Sequence, residues 1–127
     1  MRNDLSITII DDDEIAHYLV SIFVKRELPT AIIHSFLSAT EFLTAFNHGD
    51  FETDGILLDI SMPKMTGWEL ADRLKTTTFN TPVHILSSSA DSRDIQRADD
   101  YSFVKNYIVK PLTVEKLRSF LDDVTKK

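Results

Sequence analysis

Ile7-Thr8-Ile9-Ile10-Asp11-Asp12-Asp13 joins a β-branched run to three carboxylates. Side chains branched at Cβ suit a pleated, packed surface, so Leu5–Ile10 reads as a buried strand that delivers charge to the edge of a sheet. Adjacent like charges repel, and each loses solvation near a protein interior. A strand end tolerates this where a cation binds, and hard oxygen donors suit Mg²⁺ rather than a transition metal. A solvated loop with a helix cap is the other reading, since Asp is a favoured N-cap and a helical pattern starts at once. The triplet alone leaves both open.

Working outward, β-rich runs alternate with helical stretches. Glu14–Glu27 carries Ile15, Leu19, Ile22 and Phe23 at helical spacing and stops at Pro29. Ala31–Phe36 is a second strand. Ser38-Ala39-Thr40-Glu41 has the form of a capping box, and Gly49 ends the helix it opens. Gly55–Ile60 is the third and most apolar strand, and Gly67–Lys75 the third helix. Pro82–Leu86, Asp91–Asp99 and Asn106–Val109 follow as strand, weaker helix and short strand. Thr113 caps a last helix that turns Val114, Leu117, Phe120, Leu121 and Val124 inward. Five strands alternating with five helices give right-handed crossovers and a parallel sheet covered on both faces.

Composition narrows the function. The chain has 127 residues, 43% hydrophobic and 27% charged, as expected of one globular domain. Its net charge of −6 argues against nucleic acid and against an anionic membrane surface as partners. No apolar run is long enough for a membrane span, and no apolar segment behind Met1-Arg2-Asn3-Asp4 suggests a signal peptide. With no cysteine there is no thiolate chemistry, and the expected compartment is cytoplasmic.

In parallel sheets ligands bind beyond the carboxyl ends of the strands. Asp11 and Asp12 follow the first run, Asp59 the third, Ser87 the fourth and Lys110 the fifth. Each has an ordinary explanation: turn residue, helix cap, solvated lysine. Four strand ends carrying compatible chemistry are poorly explained by accident.

Leu57-Leu58-Asp59-Ile60-Ser61-Met62-Pro63-Lys64-Met65-Thr66-Gly67 resembles the phosphorylation-site motif of the bacterial response-regulator receiver domain. Lys110-Pro111 and Asp11-Asp12 resemble that family's Lys-Pro step and acidic pair. The resemblance covers residues 1–127 as one receiver domain. It implies a flavodoxin-like, doubly wound α/β fold with strand order 2-1-3-4-5. It implies Asp59 as phosphoacceptor. Asp12, Asp59 and the Ser61 backbone carbonyl would hold Mg²⁺, with Asp11 acting through a bound water. Ser87 and Lys110 would bind phosphoryl oxygens, and Ser87 with Tyr107 would form the switch. The donor would be a sensor histidine kinase or a histidine phosphotransfer protein. Output would be phosphorylation-dependent binding of a protein target by a stand-alone monomer or weak dimer, self-catalysing its phosphorylation and dephosphorylation. Two positions depart from the family pattern. Ser87 stands where Thr is usual, and Ala98-Asp99-Asp100-Tyr101-Ser102-Phe103 replaces the usual Gly-Ala step before the fifth strand.

Two other readings compete. Asp11-Asp12-Asp13 also resembles the first motif of haloacid-dehalogenase-like phosphatases, with Asp11 as nucleophile and Asp13 as acid. Past the lysine, however, that family needs a further acidic motif on a strand end, whereas Asp122 and Asp123 read as helix residues, and no cap module is present. The other is a receiver-like interaction module that takes no phosphate. His17, His34, His48 and His84 lack metal-ligand spacing and read as structural or surface residues. Trp68 reads as a packing residue.

Overall fold

The strands are β1 (Ser6–Ile10), β2 (Ile32–Phe36), β3 (Gly55–Asp59), β4 (Val83–Ser87) and β5 (Val104–Val109). All pairs are parallel, in the order β2-β1-β3-β4-β5. Between them run α1 (Glu14–Glu27), α2 (Ala39–Asn47), α3 (Gly67–Lys75), α4 (Ser92–Arg97) and α5 (Val114–Thr125), with a 3-10 turn over Ala98–Asp100. The structure, a computed structural model, describes residues 4–49 and 51–125. Met1-Arg2-Asn3, which enters the signal-peptide reading, lies outside the described residues.

Side chains on a strand alternate between faces, and the core divides accordingly. Ile10, Ile56, Leu58 and Ile85 pack with Phe42 of α2 and Leu70 and Leu74 of α3. Ile7, Ile9, Leu57 and Leu86 pack with Val20 and Val24 of α1 and Phe120 and Leu121 of α5. The sheet is therefore covered on both sides, which is why β1, β3 and β4 are buried along their whole length.

Capping sets several boundaries. Ser38 Oγ accepts from the Glu41 N–H at 3.1 Å, but Glu41 answers through the Ser38 hydroxyl rather than its backbone N–H. The complete capping box is at α3, between Thr66 and Glu69. Thr113 Oγ1 accepts from the Lys116 N–H at the start of α5. Gly49, at φ +69°, follows α2 in the left-handed region. Gly67 serves close approach instead. A Cβ there would lie 2.6 Å from the Asp59 carbonyl oxygen and 2.6 Å from Ile60 Cα. The start of α3 thus sits directly on the chain leaving β3.

Three expectations change. In α1, Phe23 is buried but Ile15, Leu19 and Ile22 are exposed. Ala16, Val20, Phe23 and Val24 make the inward face. This helix is apolar on two sides, so spacing alone does not choose between them. Val114, in the first turn of α5, is also exposed. Near Val83 and His84 the β4–β5 register shifts, pairing Val83 with Val104 but His84 with Asn106. The bulge leaves Lys105 over and blurs the alternation, so β5 starts at Val104, two residues before the expected Asn106.

Candidate functional site

Parallel register assembles the site. Ile10 pairs with Leu58, so Asp11 and Asp59 occupy neighbouring strand ends. Asp59 pairs with Leu86 and Ser87 with Val109, placing Ser87 and Lys110 at the next two ends. Oxygens of Asp11, Asp12 and Asp59 lie within 4.8 Å of one another. Asp11 is fully buried, Asp59 is 4% exposed, and Asp12 faces solvent. Lys110 Nζ sits 3.1 Å from Asp11 Oδ2 and 3.8 Å from Asp59 Oδ2.

Asp59 Oδ1 accepts the Ser61 backbone N–H at 3.0 Å. Asp11 is held on several sides. Its N–H donates to the Phe36 carbonyl, its Oδ1 accepts the Asp13 N–H, and its carbonyl lies 2.7 Å from His17 Nε2. Asp13 turns away: its Oδ1 caps α1 through the Ile15 N–H at 2.9 Å. Both readings of the acidic triplet are therefore met by different residues. Asp11 and Asp12 form the pocket, and Asp13 is the cap.

Burial raises the Asp59 carboxyl to about 6; Asp11 adds to the rise, against the Ser61 N–H and Lys110. Burial also disfavours the Lys110 ammonium, but Asp11 and Asp59 outweigh it and raise its pKa. One ammonium among three carboxylates leaves excess negative charge. All three donors are hard oxygens, two of them buried, and this set fits a divalent cation such as Mg²⁺.

Ser87 is fully buried, and its Oγ accepts the Ser89 N–H. The Lys110 N–H donates to the Ser87 carbonyl at 2.7 Å, tying the ends of β4 and β5 together. The Lys110–Pro111 peptide is cis. Tyr107 is half-buried, and its hydroxyl donates to the Ser89 carbonyl at 2.9 Å. It thus links β5 to the loop after β4.

The unusual segment before β5 closes on α3. Tyr101 stacks on Trp68 with centroids 5.7 Å apart, and its hydroxyl donates to Asp72. Arg97 reaches the same carboxylate and lies 5.1 Å over the Trp68 ring. Trp68 is a packing residue, as expected. This clasp went unread in the sequence because its members are up to 33 residues apart in a pattern with no motif. His17 went unread as a neighbour of the pocket for a similar reason: six residues from Asp11, it has no ligand spacing. Its place on the helix that opens behind the acidic triplet was the available signal.

A model of the response regulator receiver domain family matches residues 7–122, and the chain belongs to that family. A two-component response regulator from Cytophaga hutchinsonii is 30% identical with a TM-score of 0.84, covering 99% of this chain and 100% of that one. The gliding motility regulatory protein of Myxococcus xanthus is 37% identical over 95% of this chain and 15% of its own length. The transcriptional regulatory protein NatR of Bacillus subtilis is 29% identical over 97% of this chain and 51% of its own. The chain spans about half or less of the length of these curated relatives. Receiver domains are signalling modules of two-component systems; Mg²⁺ at an acidic pocket and a phosphorylated aspartate are typical of them.

Proposed function

We propose that Asp59 accepts a phosphoryl group from the phosphohistidine of a sensor kinase or phosphotransfer protein, in the cytoplasm. The observation that carries this is the convergence of Asp11, Asp12 and Asp59 oxygens within 4.8 Å, with Lys110 on Asp11 and Asp59. An Asp59 oxygen forms the new P–O bond as the P–N bond breaks, and the electron pair of that bond returns to the donor imidazole. Asp11, Asp12, Asp59 and the Ser61 carbonyl would hold Mg²⁺, which when bound supplies positive charge against carboxylates and phosphoryl oxygens alike. Lys110 would hold one phosphoryl oxygen from its place between Asp11 and Asp59. Ser87 would turn its hydroxyl from the Ser89 N–H toward another. That motion would disturb the loop to which Tyr107 is bonded, carrying the signal to the face of α4, β5 and α5 for a protein target.

The donor's docking face is the exposed stripe Ile15, Tyr18, Leu19 and Ile22 on α1, from 67% to 42% exposed. It starts three residues after Asp12 in sequence, and its spacing suits packing against helices. The phosphatase-like alternative draws no support from the geometry. Asp13, which that reading needs as its acid, is committed to capping α1.

The test is labelling by a small phosphodonor with Mg²⁺. Wild type should gain one phosphoryl group by mass spectrometry and Asp59→Asn none. Labelling on Asp11 would restore the phosphatase reading; no labelling under any condition would favour a phosphate-independent interaction module.

A further inference from the structure

His17 is 8% exposed and lies on the inward side of α1 with Ala16, Val20, Phe23 and Val24. A buried imidazole among apolar side chains needs a polar reason, because its ring nitrogens lose water on burial. Here that reason is one bond, from Nε2 to the Asp11 carbonyl at 2.7 Å. A carbonyl only accepts, so Nε2 carries the proton. Nδ1 has no hydrogen-bond partner among the described residues, so the ring is oriented by the Asp11 carbonyl.

That carbonyl lies in a difficult place. Asp11 is fully buried and precedes the cap residue Asp13, outside the hydrogen-bond ladder of α1. The first helical N–H groups are taken by Asp13: Ile15 donates to its side chain and Ala16 to its carbonyl. The same peptide unit ends at the nitrogen of Asp12. Its plane fixes the direction in which the chain enters Asp12, and so where the exposed Asp12 carboxylate points.

We propose that His17 is a positioning residue for the acidic pocket: by holding the Asp11 carbonyl it sets the Asp11–Asp12 peptide, and so governs cation affinity without being a ligand. This rests on the reading of Asp11, Asp12 and Asp59 as the Mg²⁺ site. Outer-shell partners of this kind typically change metal affinity by about 10- to 100-fold when removed.

The experiment is calorimetric titration of Mg²⁺ into the full chain, with urea unfolding of each metal-free variant. His17→Leu should weaken Mg²⁺ at least about tenfold. His17→Gln, whose amide nitrogen falls near the place of Nε2, should restore affinity toward wild type. Val20→Ala, which loosens the same helix face without touching the carbonyl, should lower stability and leave affinity unchanged. Should His17→Leu not fold, His17→Asn takes its place, since its shorter amide falls short of the carbonyl; the same weakening is expected. Equal affinity in wild type and the donor-lacking variant would overturn the role of His17 and leave the metal site standing. A wild type that does not bind Mg²⁺ would overturn the site itself, and the inference with it.

Discussion

Asp12 and Asp59 sit close together in very different surroundings. Asp59 is buried against the start of α3, and its carboxyl is pushed up to about 6, chiefly by burial. Asp12 is exposed, yet offers an oxygen within 4.8 Å of the other two carboxylates. Without a cation these charges work against the fold. Asp12→Ala should therefore stabilise the metal-free protein, seen as a higher urea midpoint in chelator, and should abolish the stabilisation by Mg²⁺. In wild type, Mg²⁺ at about a hundred times its dissociation constant should add about 2.7 kcal/mol. A urea midpoint that does not move with Mg²⁺ would count against the pocket as a cation site. The substitution of Ser for the usual Thr at position 87 preserves the hydroxyl, which stays buried and bonded to the Ser89 N–H.

At the scale of elements, α1 and α4 show opposite designs. α1 is apolar on two sides and buries one of them, leaving Ile15, Tyr18, Leu19 and Ile22 in solvent. Leu19→Glu should leave the urea midpoint nearly unchanged, because the side chain is half exposed already. It should slow phosphotransfer from the histidine donor while leaving labelling by a small phosphodonor intact. Equal slowing of both reactions would place its effect in the pocket rather than in docking. α4 has no buried residue of its own. It is anchored at its C-terminal end, where Arg97 and Tyr101 meet on Asp72 beside Trp68. Asp72→Ala removes the acceptor shared by both. Amide exchange over residues 92–100 should then quicken about tenfold, the equivalent of one hydrogen bond to a charged group at about 1.5 kcal/mol. Unchanged exchange would show that backbone contacts alone hold α4.

Across the whole molecule, His84 ties the sheet to the last helix. Its Nε2 lies 2.9 Å from Asp123 Oδ2, and its ring meets Phe120 edge-on at 4.9 Å. Burial lowers its pKa, and the Asp123 carboxylate only partly opposes this. Because the folded state prefers the neutral ring, this contribution to stability is fully present above the ordinary value of 6.5 and is lost as pH falls through the depressed one. Between about pH 7.5 and about pH 5 wild type should lose more stability by urea unfolding than His84→Leu. Parallel losses in the two proteins would assign the acid sensitivity elsewhere. The contact runs from β4, which ends at Ser87, to α5 on the proposed output face.

Much of this was legible along the chain because it depends on local spacing. The alternation of β-rich and helical runs, the proline and glycine stops, and the run from Leu57 to Gly67 each lie within one element or one turn. Strand-end chemistry was legible too, since a parallel sheet brings all carboxyl ends to one edge whatever the side chains between them. Local pattern was thus enough for the doubly wound architecture and for Asp11, Asp12, Asp59, Ser87 and Lys110 at that edge. Choices among equivalent local options were left to the packing of the folded chain. Which of two apolar sides α1 buries depends on the sheet beneath it. Which of three consecutive aspartates becomes the cap depends on where the helix starts relative to the pocket. The Asp72, Arg97 and Tyr101 clasp, and the bond from His17 to Asp11, join residues whose spacing carries no periodic signal. Contacts of that kind are set by the packing of elements against one another, and become visible only once the chain is folded.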